Sequence, residues 1–214
     1  MEILSFDRLD STQKYLIDLI KKKKIDKEIA IIANEQTNGV GSRENSWLSK
    51  RGDLTLSFAI KKESLPKDLP ISSASIYFAF LMKEILHEFD KNCWLKWPND
   101  IYIKNKKAGG VVTQLLKHYL IVGIGVNIVQ RDDDFASFEN IKDVKKVLNS
   151  YFMLLKERPN WQEVFSKYRV EFEKQKSFKV HLKGKLTTLS SAKLCDDGAL
   201  LVDNERIYSL RWVK

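Results

Sequence analysis

Cysteine and histidine are both scarce in this chain of 214 residues. Cys93 and Cys195 lie far apart, neither in a CxxC spacing nor near a histidine, which argues against a disulfide framework and a zinc site. Both thiols are expected to be reduced and buried. No Ser/His/Asp or Cys/His arrangement is evident around His87, His118 or His181. Long apolar runs are also missing. The stretches around Ile76 to Met82 and Tyr119 to Val129 fall short of the roughly 18 residues that a membrane span needs, and Gly123, Gly125 and Asn127 interrupt the second. The opening MEILSFDRLDS lacks the basic and apolar regions of a signal peptide, so a cytoplasmic protein with no membrane partner is expected. Internal repeats and low-complexity segments are absent.

What is present supports an ordinary core. A hydrophobic content of 43% over this length suits one domain, or one with a small appendage. The formal charge of +9, from 37 basic and 28 acidic residues, favours an anionic partner: nucleotide phosphate, an acidic protein or nucleic acid. Lys21 to Lys24 are the densest basic run and read as a solvated helix end, where cations complement the helix dipole.

Periodicity divides the chain. Ser11 can cap a helix carrying Tyr15, Leu16, Leu19 and Ile20, and Glu28 to Asn34 follows as a strand. Leu54 to Ile60 alternates as a strand should, and Ser72 to Phe89 contains one long amphipathic helix. Trp94 to Trp97, Ile101 to Ile103, Gly110 to Lys117 and Leu120 to Ile128 read as successive strands, with Lys104 to Lys107 as a hairpin connection. Helices are expected over 142 to 156 and 161 to 176. Thereafter KVHL, KLTTLSSAKL, ALLVD and RIYSLRW form short strands divided by Lys183-Gly184 and Asp196-Asp197-Gly198. The expected organisation is an α+β domain over 1 to 176 and a small β-barrel over 177 to 214.

Polar residues and glycines concentrate at strand ends and turns in DSTQKYL (10 to 16), NEQTNGVGSRENSW (34 to 47) and KWPNDIYIKNKKAGG (96 to 110). Gly39, Gly41 and Ser42 can offer backbone N–H groups to an anion, with Arg43 adding charge. Gly109-Gly110 at the head of a strand lets a flat ligand approach the backbone, and Lys107 stands beside that opening.

These segments resemble the biotin protein ligases over about residues 6 to 128 and plausibly to the end of the chain. The matching motifs are Asp10-Ser11-Thr12, Glu35-Gln36-Thr37 with Gly39-x-Gly41 and Trp47, Lys96-Trp97-Pro98-Asn99-Asp100, Lys107-x-Gly109-Gly110, and Gly123-Ile124-Gly125-Val126-Asn127. The resemblance implies a mixed sheet flanked by helices, like that of class II aminoacyl-tRNA synthetases, followed by an SH3-like β module. It implies biotin contacts at Ser11, Thr12, Gln36, Gly39, Gly41, Gly109 and Gly110, and a catalytic Lys107 at the biotin carboxylate. It assigns Ser42, Arg43, Lys96, Trp97, Asn99, Asp100 and Asn127 to the nucleotide and its phosphates. ATP and biotin are the implied substrates, Mg²⁺ is held mainly by the phosphates, and a biotin carboxyl carrier protein, as in acetyl-CoA carboxylase, is the acceptor.

Two departures from the family pattern stand out: Gln13 replaces a frequent Asn, and Val40, Ser42 and Asn45 occupy places where many members carry arginine. Some relatives carry an N-terminal helix-turn-helix domain; here the chain begins ten residues before Ser11, so a monofunctional ligase without specific DNA binding is expected. A lipoate protein ligase, of the same fold and chemistry, is the nearest alternative. A nucleic-acid-binding protein would also explain the basic balance, but no recognition-helix or RNP-like motif accompanies it. The sequence leaves homodimerisation open.

Overall fold

The computed structural model describes residues 1–42, 45–131, 134–182 and 185–208. Arg43, the turn expected at Lys183-Gly184 and the end of RIYSLRW lie outside the described residues.

Ser11 opens the first helix with an extended backbone, φ −158° and ψ 129°, and its hydroxyl accepts from the Lys14 N–H. This cap satisfies one of the orphan donors of helix α1 (Thr12–Lys21), which turns Leu16 and Ile20 inward. The helix connects strand β1 (Glu2–Phe6) to strand β2 (Ile29–Ala33), and the two strands pair in parallel as a β-α-β unit requires. Strand β1 was not anticipated, because five residues at a largely exposed edge carry too little alternation to read.

A short hairpin, β3 (Gly39–Val40) with β4 (Ser46–Trp47), precedes strand β5 (Leu54–Lys61). The remaining sheet strands are β6 (Cys93–Lys96), β7 (Asp100–Ile103), β8 (Lys106–Leu116) and β9 (Tyr119–Val126). The seven strands run in the order β1-β2-β5-β9-β8-β7-β6, antiparallel except for the first pair.

Strand β5 alternates as expected, but both of its faces are buried. Leu54, Leu56, Phe58 and Ile60 enter the larger core, while Ala59 joins Leu16, Ile20, Ile29 and Ile31 beneath α1. The larger core lies between the other sheet face and helices α2 (Ala74–Leu86), α3 (Val144–Glu157) and α4 (Trp161–Gln175). Helix α2 lies within 72 to 89 as expected but is not amphipathic: a 3-10 turn over Ile71–Ser73 precedes it, and residues all round the helix are buried, even Lys83. Its position between the sheet and two further helices leaves no continuous solvent face, only Ser75 and Glu84 being partly exposed.

Lys106 and Lys107 correct the expected hairpin. They belong to strand β8, and the turn is confined to Lys104-Asn105, with Lys104 at φ 51°. In the C-terminal region, KLTTLSSAKL divides into β11 (Lys185–Thr188) and β12 (Lys193–Leu194); β10 (Lys179–Leu182) precedes them, and β13 (Leu200–Val202) and β14 (Glu205–Ile207) complete a small SH3-like module. It packs directly on the main core. Val180, Leu189, Ala192, Leu200 and Val202 belong to the larger buried cluster, and the Trp97 and Trp161 indoles donate to Gly198 O and Asp196 O. Cys93 is buried, which pushes its thiol pKa up, but Cys195 is only half-buried, at the margin of this module. Among the described residues no helix is long and apolar enough to cross a membrane.

Candidate active site

The sheet face beneath α1 changes character halfway along. Tyr119 and Ile121 of β9 contribute apolar side chains to that face, but the next two positions of the same parity are Gly123 and Gly125. Facing them, β5 supplies Ser57 and Thr55 where Ala59 continued the core, and β8 supplies Gly110. Small residues in place of core-sized ones leave a cavity of about 50 Å³, which opens into a cleft of about 790 Å³.

Two large side chains use the space above the β9 glycines. A Cβ on Gly125 would lie 2.4 Å from Trp47 Cε2, and one on Gly123 would lie 2.8 Å from Gln13 Oε1. The indole and the amide therefore rest on backbone that tolerates no side chain. Trp47 Nε1 and Gln13 Oε1 are buried without a hydrogen-bond partner among the described residues.

At the closed end, Gln36 Oε1 accepts from the Thr12 N–H at 2.7 Å and from Thr12 Oγ1 at 3.0 Å. Thr12 Oγ1 in turn lies 2.8 Å from Ser57 Oγ. Ser11, Thr12 and Ser57 are buried, so this network is a preorganised uncharged polar surface inside an apolar layer. The Ser11 cap and the Leu9–Gln36 bridge hold its two contributing segments side by side.

At the open end stands Lys107. A β-bulge between β7 and β8 pairs Ile101 with Gly109 and Tyr102 with Lys107, leaving Ala108 as the extra residue. In a regular strand Lys107 and Gly110 would face opposite ways; the bulge puts both on the cavity lining. The Lys107 ammonium lies 2.5 Å from Asp100 Oδ1, and both side chains are partly exposed.

The Lys96 to Asp100 segment borders the wider cleft. Lys96 Nζ is 3.2 Å from the Tyr102 hydroxyl and 4.8 Å from its ring centroid. Asn99 Nδ2 donates to Val111 O, and Trp97, after which the peptide bond to Pro98 is cis, is almost fully buried. Val180 and Tyr208 of the C-terminal module complete the cleft wall.

The expected site residues thus divide. Ser11, Thr12, Gln36, Gly41, Ser42, Asn99, Asp100, Lys107 and Gly110 line the cavity, and Lys96 and Trp97 line the cleft. Gly39, Gly109 and Asn127 line neither. Gly39 is there because a Cβ would meet Trp47 O at 2.5 Å, and Gly109 because one would meet Gly125 O at 2.8 Å. Asn127 is buried, with its amide donating to Ala136 O and accepting from Arg131. The Gly41 N–H donates to Asn45 O within the β3–β4 hairpin, so it is already engaged and is not a free anion donor in this conformation. Sequence reasoning missed Ser57, whose signal, a hydroxyl in an alternating strand, is indistinguishable from an ordinary small core residue. It also missed Asp53 and Arg131, which meet only through folding.

The site thus combines an uncharged polar end, a lysine at the mouth and a wider cleft that also carries Lys96, groups of the kind that hold an anionic ligand. The chain belongs to the biotin/lipoate A/B protein ligase family, which it matches over residues 5–127. It superposes on a biotin acetyl coenzyme A carboxylase synthetase from Helicobacter pylori, solved with bound biotinylated ATP, with TM-score 0.89 and 37% identity over 96% of this chain and 98% of that one. The Aquifex aeolicus biotin protein ligase in complex with biotin and ATP gives TM-score 0.77 and 26% identity over 98% and 96%. The bifunctional ligase/repressor BirA of Escherichia coli is 31% identical over 130 residues, 58% of this chain and 39% of that protein. Its Bacillus spizizenii counterpart is 27% identical over 148 residues, 67% and 45% of the two chains. The chain therefore spans less than half the length of these curated relatives.

Proposed function

We propose that this protein is a biotin protein ligase, which activates biotin with ATP and passes the biotinyl group to a lysine of a biotin carboxyl carrier protein such as that of acetyl-CoA carboxylase. In the first step a biotin carboxylate oxygen attacks the α-phosphorus of ATP, the bond to the β-phosphate oxygen breaks, and biotinyl-5′-AMP and pyrophosphate result. In the second the acceptor amine attacks the acyl carbon, AMP leaves, and the amine loses a proton.

The observation that carries this reading is the polar closed end, Thr12 with Gln36, aligned across one cavity with Lys107. A ureido ring, with one carbonyl and two N–H groups, can pair with such a surface. An apolar dithiolane would offer nothing to Gln13 Oε1 and Trp47 Nε1, which line the same cavity buried and without a partner among the described residues, a mismatch that buried sites reject strongly, and this favours biotin over lipoate. Lys107 would hold the carboxylate and then stabilise charge on the α-phosphate, exchanging Asp100 for the ligand as it does so. No enzyme nucleophile is needed, because positioning and cationic stabilisation can carry the reaction.

Among the described residues no group of three or more His, Cys, Asp or Glu could hold a metal ion. The single carboxylate of Asp100 beside the cleft nevertheless suits Mg²⁺, which commonly binds one or two carboxylates plus substrate phosphates. Asp100 would hold the ion, which when bound neutralises phosphate charge. The test is incubation with labelled biotin and ATP, following pyrophosphate release and label transfer to a carrier domain; lipoate used in preference to biotin would overturn the assignment.

A further inference from the structure

Asp53 and Arg131 form a buried pair that touches neither cavity, yet holds several segments of the site. Asp53 Oδ1 accepts from the N–H groups of Ile128 and Val129, at 2.9 and 3.0 Å. Its Oδ2 accepts from the Lys50 N–H at 2.6 Å and from Arg131 Nη2 at 2.5 Å. The same nitrogen lies 2.8 Å from Asn127 Oδ1 and 3.4 Å from Leu48 O, immediately after Trp47. Asp53 is completely shielded and the Arg131 side chain is 6% exposed, so this is no surface ion pair of negligible worth.

The connections continue towards the chemistry. The Asn127 amide, oriented by Arg131, donates to Ala136 O at 3.0 Å, and the Ala136 N–H donates to Lys107 O at 2.9 Å. Phe135, the residue before Ala136, lines the wide cleft, as does Trp47, which also lines the small cavity. One guanidinium thereby ties the end of the β3–β4 hairpin to the segment after β9, and that segment to the main chain of Lys107. By contrast, among the described residues the Ser11, Thr12 and Ser57 hydroxyls share no hydrogen bond with the pair, and Gln36 approaches it only through its backbone bonds to Ser49.

We propose that Asp53 and Arg131 are positioning residues for the nucleotide half of the site: they set the cleft walls and the backbone of Lys107 without touching substrate. This rests on the ligase reading above. A misplacement of about 1 Å at a reacting group can cost up to roughly a hundredfold in rate. A neutral residue at position 131 should accordingly act on ATP use and spare biotin.

The experiment compares wild type, Arg131→Met and Arg131→Lys. Pyrophosphate release is measured against ATP concentration at saturating biotin, and biotin affinity is measured by calorimetry without nucleotide. Arg131→Met should raise the KM for ATP and lower kcat/KM by about ten- to a hundredfold, with biotin affinity within about threefold of wild type. Arg131→Lys keeps a cation opposite Asp53, but its shorter side chain does not reach as far as the Nη2 atom that meets Asp53, Asn127 and Leu48, so it should recover only part of the loss. If Arg131→Met does not fold, the Arg131→Lys values decide alone: an unchanged KM for ATP overturns the proposal. Equal losses for ATP and biotin in a folded variant also overturn it. Wild type that binds biotin and turns over ATP while both variants match it would sink this inference only; wild type inactive with biotin and ATP would sink the ligase reading itself.

Discussion

Replacing Gln175 with Leu should unfasten the strand that ends at Lys96 and leads into Trp97. Strand β6 is an edge of the sheet, and its outward backbone groups are satisfied by side chains of helix α4 instead of by another strand. Gln175 Oε1 accepts from the Trp97 N–H at 2.7 Å and its Nε2 donates to Leu95 O at 3.2 Å, while Glu171 Oε1 accepts from the Leu95 N–H. Gln175, Leu95 and Trp97 are each at most 1% exposed, so water cannot replace the lost amide. Leucine has nearly the same volume and creates no large cavity, but it orphans one donor and one acceptor. Each buried orphan costs about 1 to 3 kcal/mol, and part is regained because the glutamine amide no longer needs desolvating, which leaves about 2 to 4 kcal/mol. A urea melt should show a lower midpoint with an unchanged slope, and an exposed substitution, Lys174→Ala, should stay within about 0.5 kcal/mol. A loss below about 0.5 kcal/mol for Gln175→Leu would refute the claim that α4 completes this edge.

Other consequences are equally direct. Lys107→Met is expected to slow adenylate formation by about 10²- to 10³-fold with little change in melting temperature, because its partner Asp100 is partly exposed; near-normal turnover would remove Lys107 from the chemistry. Burial alone would lower the Lys83 pKa, but the Glu171 carboxylate 2.5 Å away, with help from Glu84, raises it above the ordinary lysine value. Its stabilising contribution is therefore complete below about pH 10 and lost as pH rises through the folded-state pKa. Thermal melts of wild type should weaken in that alkaline window, and Lys83→Met, less stable at neutral pH, should lack this component; parallel pH curves would contradict the pairing. Gly125→Ala should force the Trp47 indole off the sheet at a cost of about 1 to 3 kcal/mol and shift its emission, a shift that a Trp47→Phe background should abolish. Unchanged emission and affinity would show that the strand, not the indole, yields.

Much of the architecture was legible because it rests on local rules. The Ser11 cap, the helical spacing of Leu16 and Ile20, and the β-branched run of β2 each specify their conformation within a few residues. Strand β1 escaped because an edge paired on one side needs little hydrophobic pattern. Helix α2 was read as amphipathic because sequence shows which residues are apolar, not that three layers would enclose them. The motif residues of the site were legible as chemistry; their geometry was not. Gly109 and Gly110 look equivalent in sequence, yet one serves strand packing and the other the cavity floor.

By itself the sequence determined the order of helices and strands over most of the chain and the residue types available to a site: hydroxyls and an amide for a neutral polar ligand, lysines for an anion, and glycines for close approach. Those are properties of side chains and short-range backbone preference. Tertiary structure decided which of them meet. The bulge at Ala108 turned Lys107 onto the face of Gly110, paired strands brought Ser57 beneath Thr12, and the segment after β9 carried Arg131 to Asp53. The reason is that register and burial depend on partners distant along the chain, so a one-residue offset that is invisible locally reverses the direction in which a functional group points.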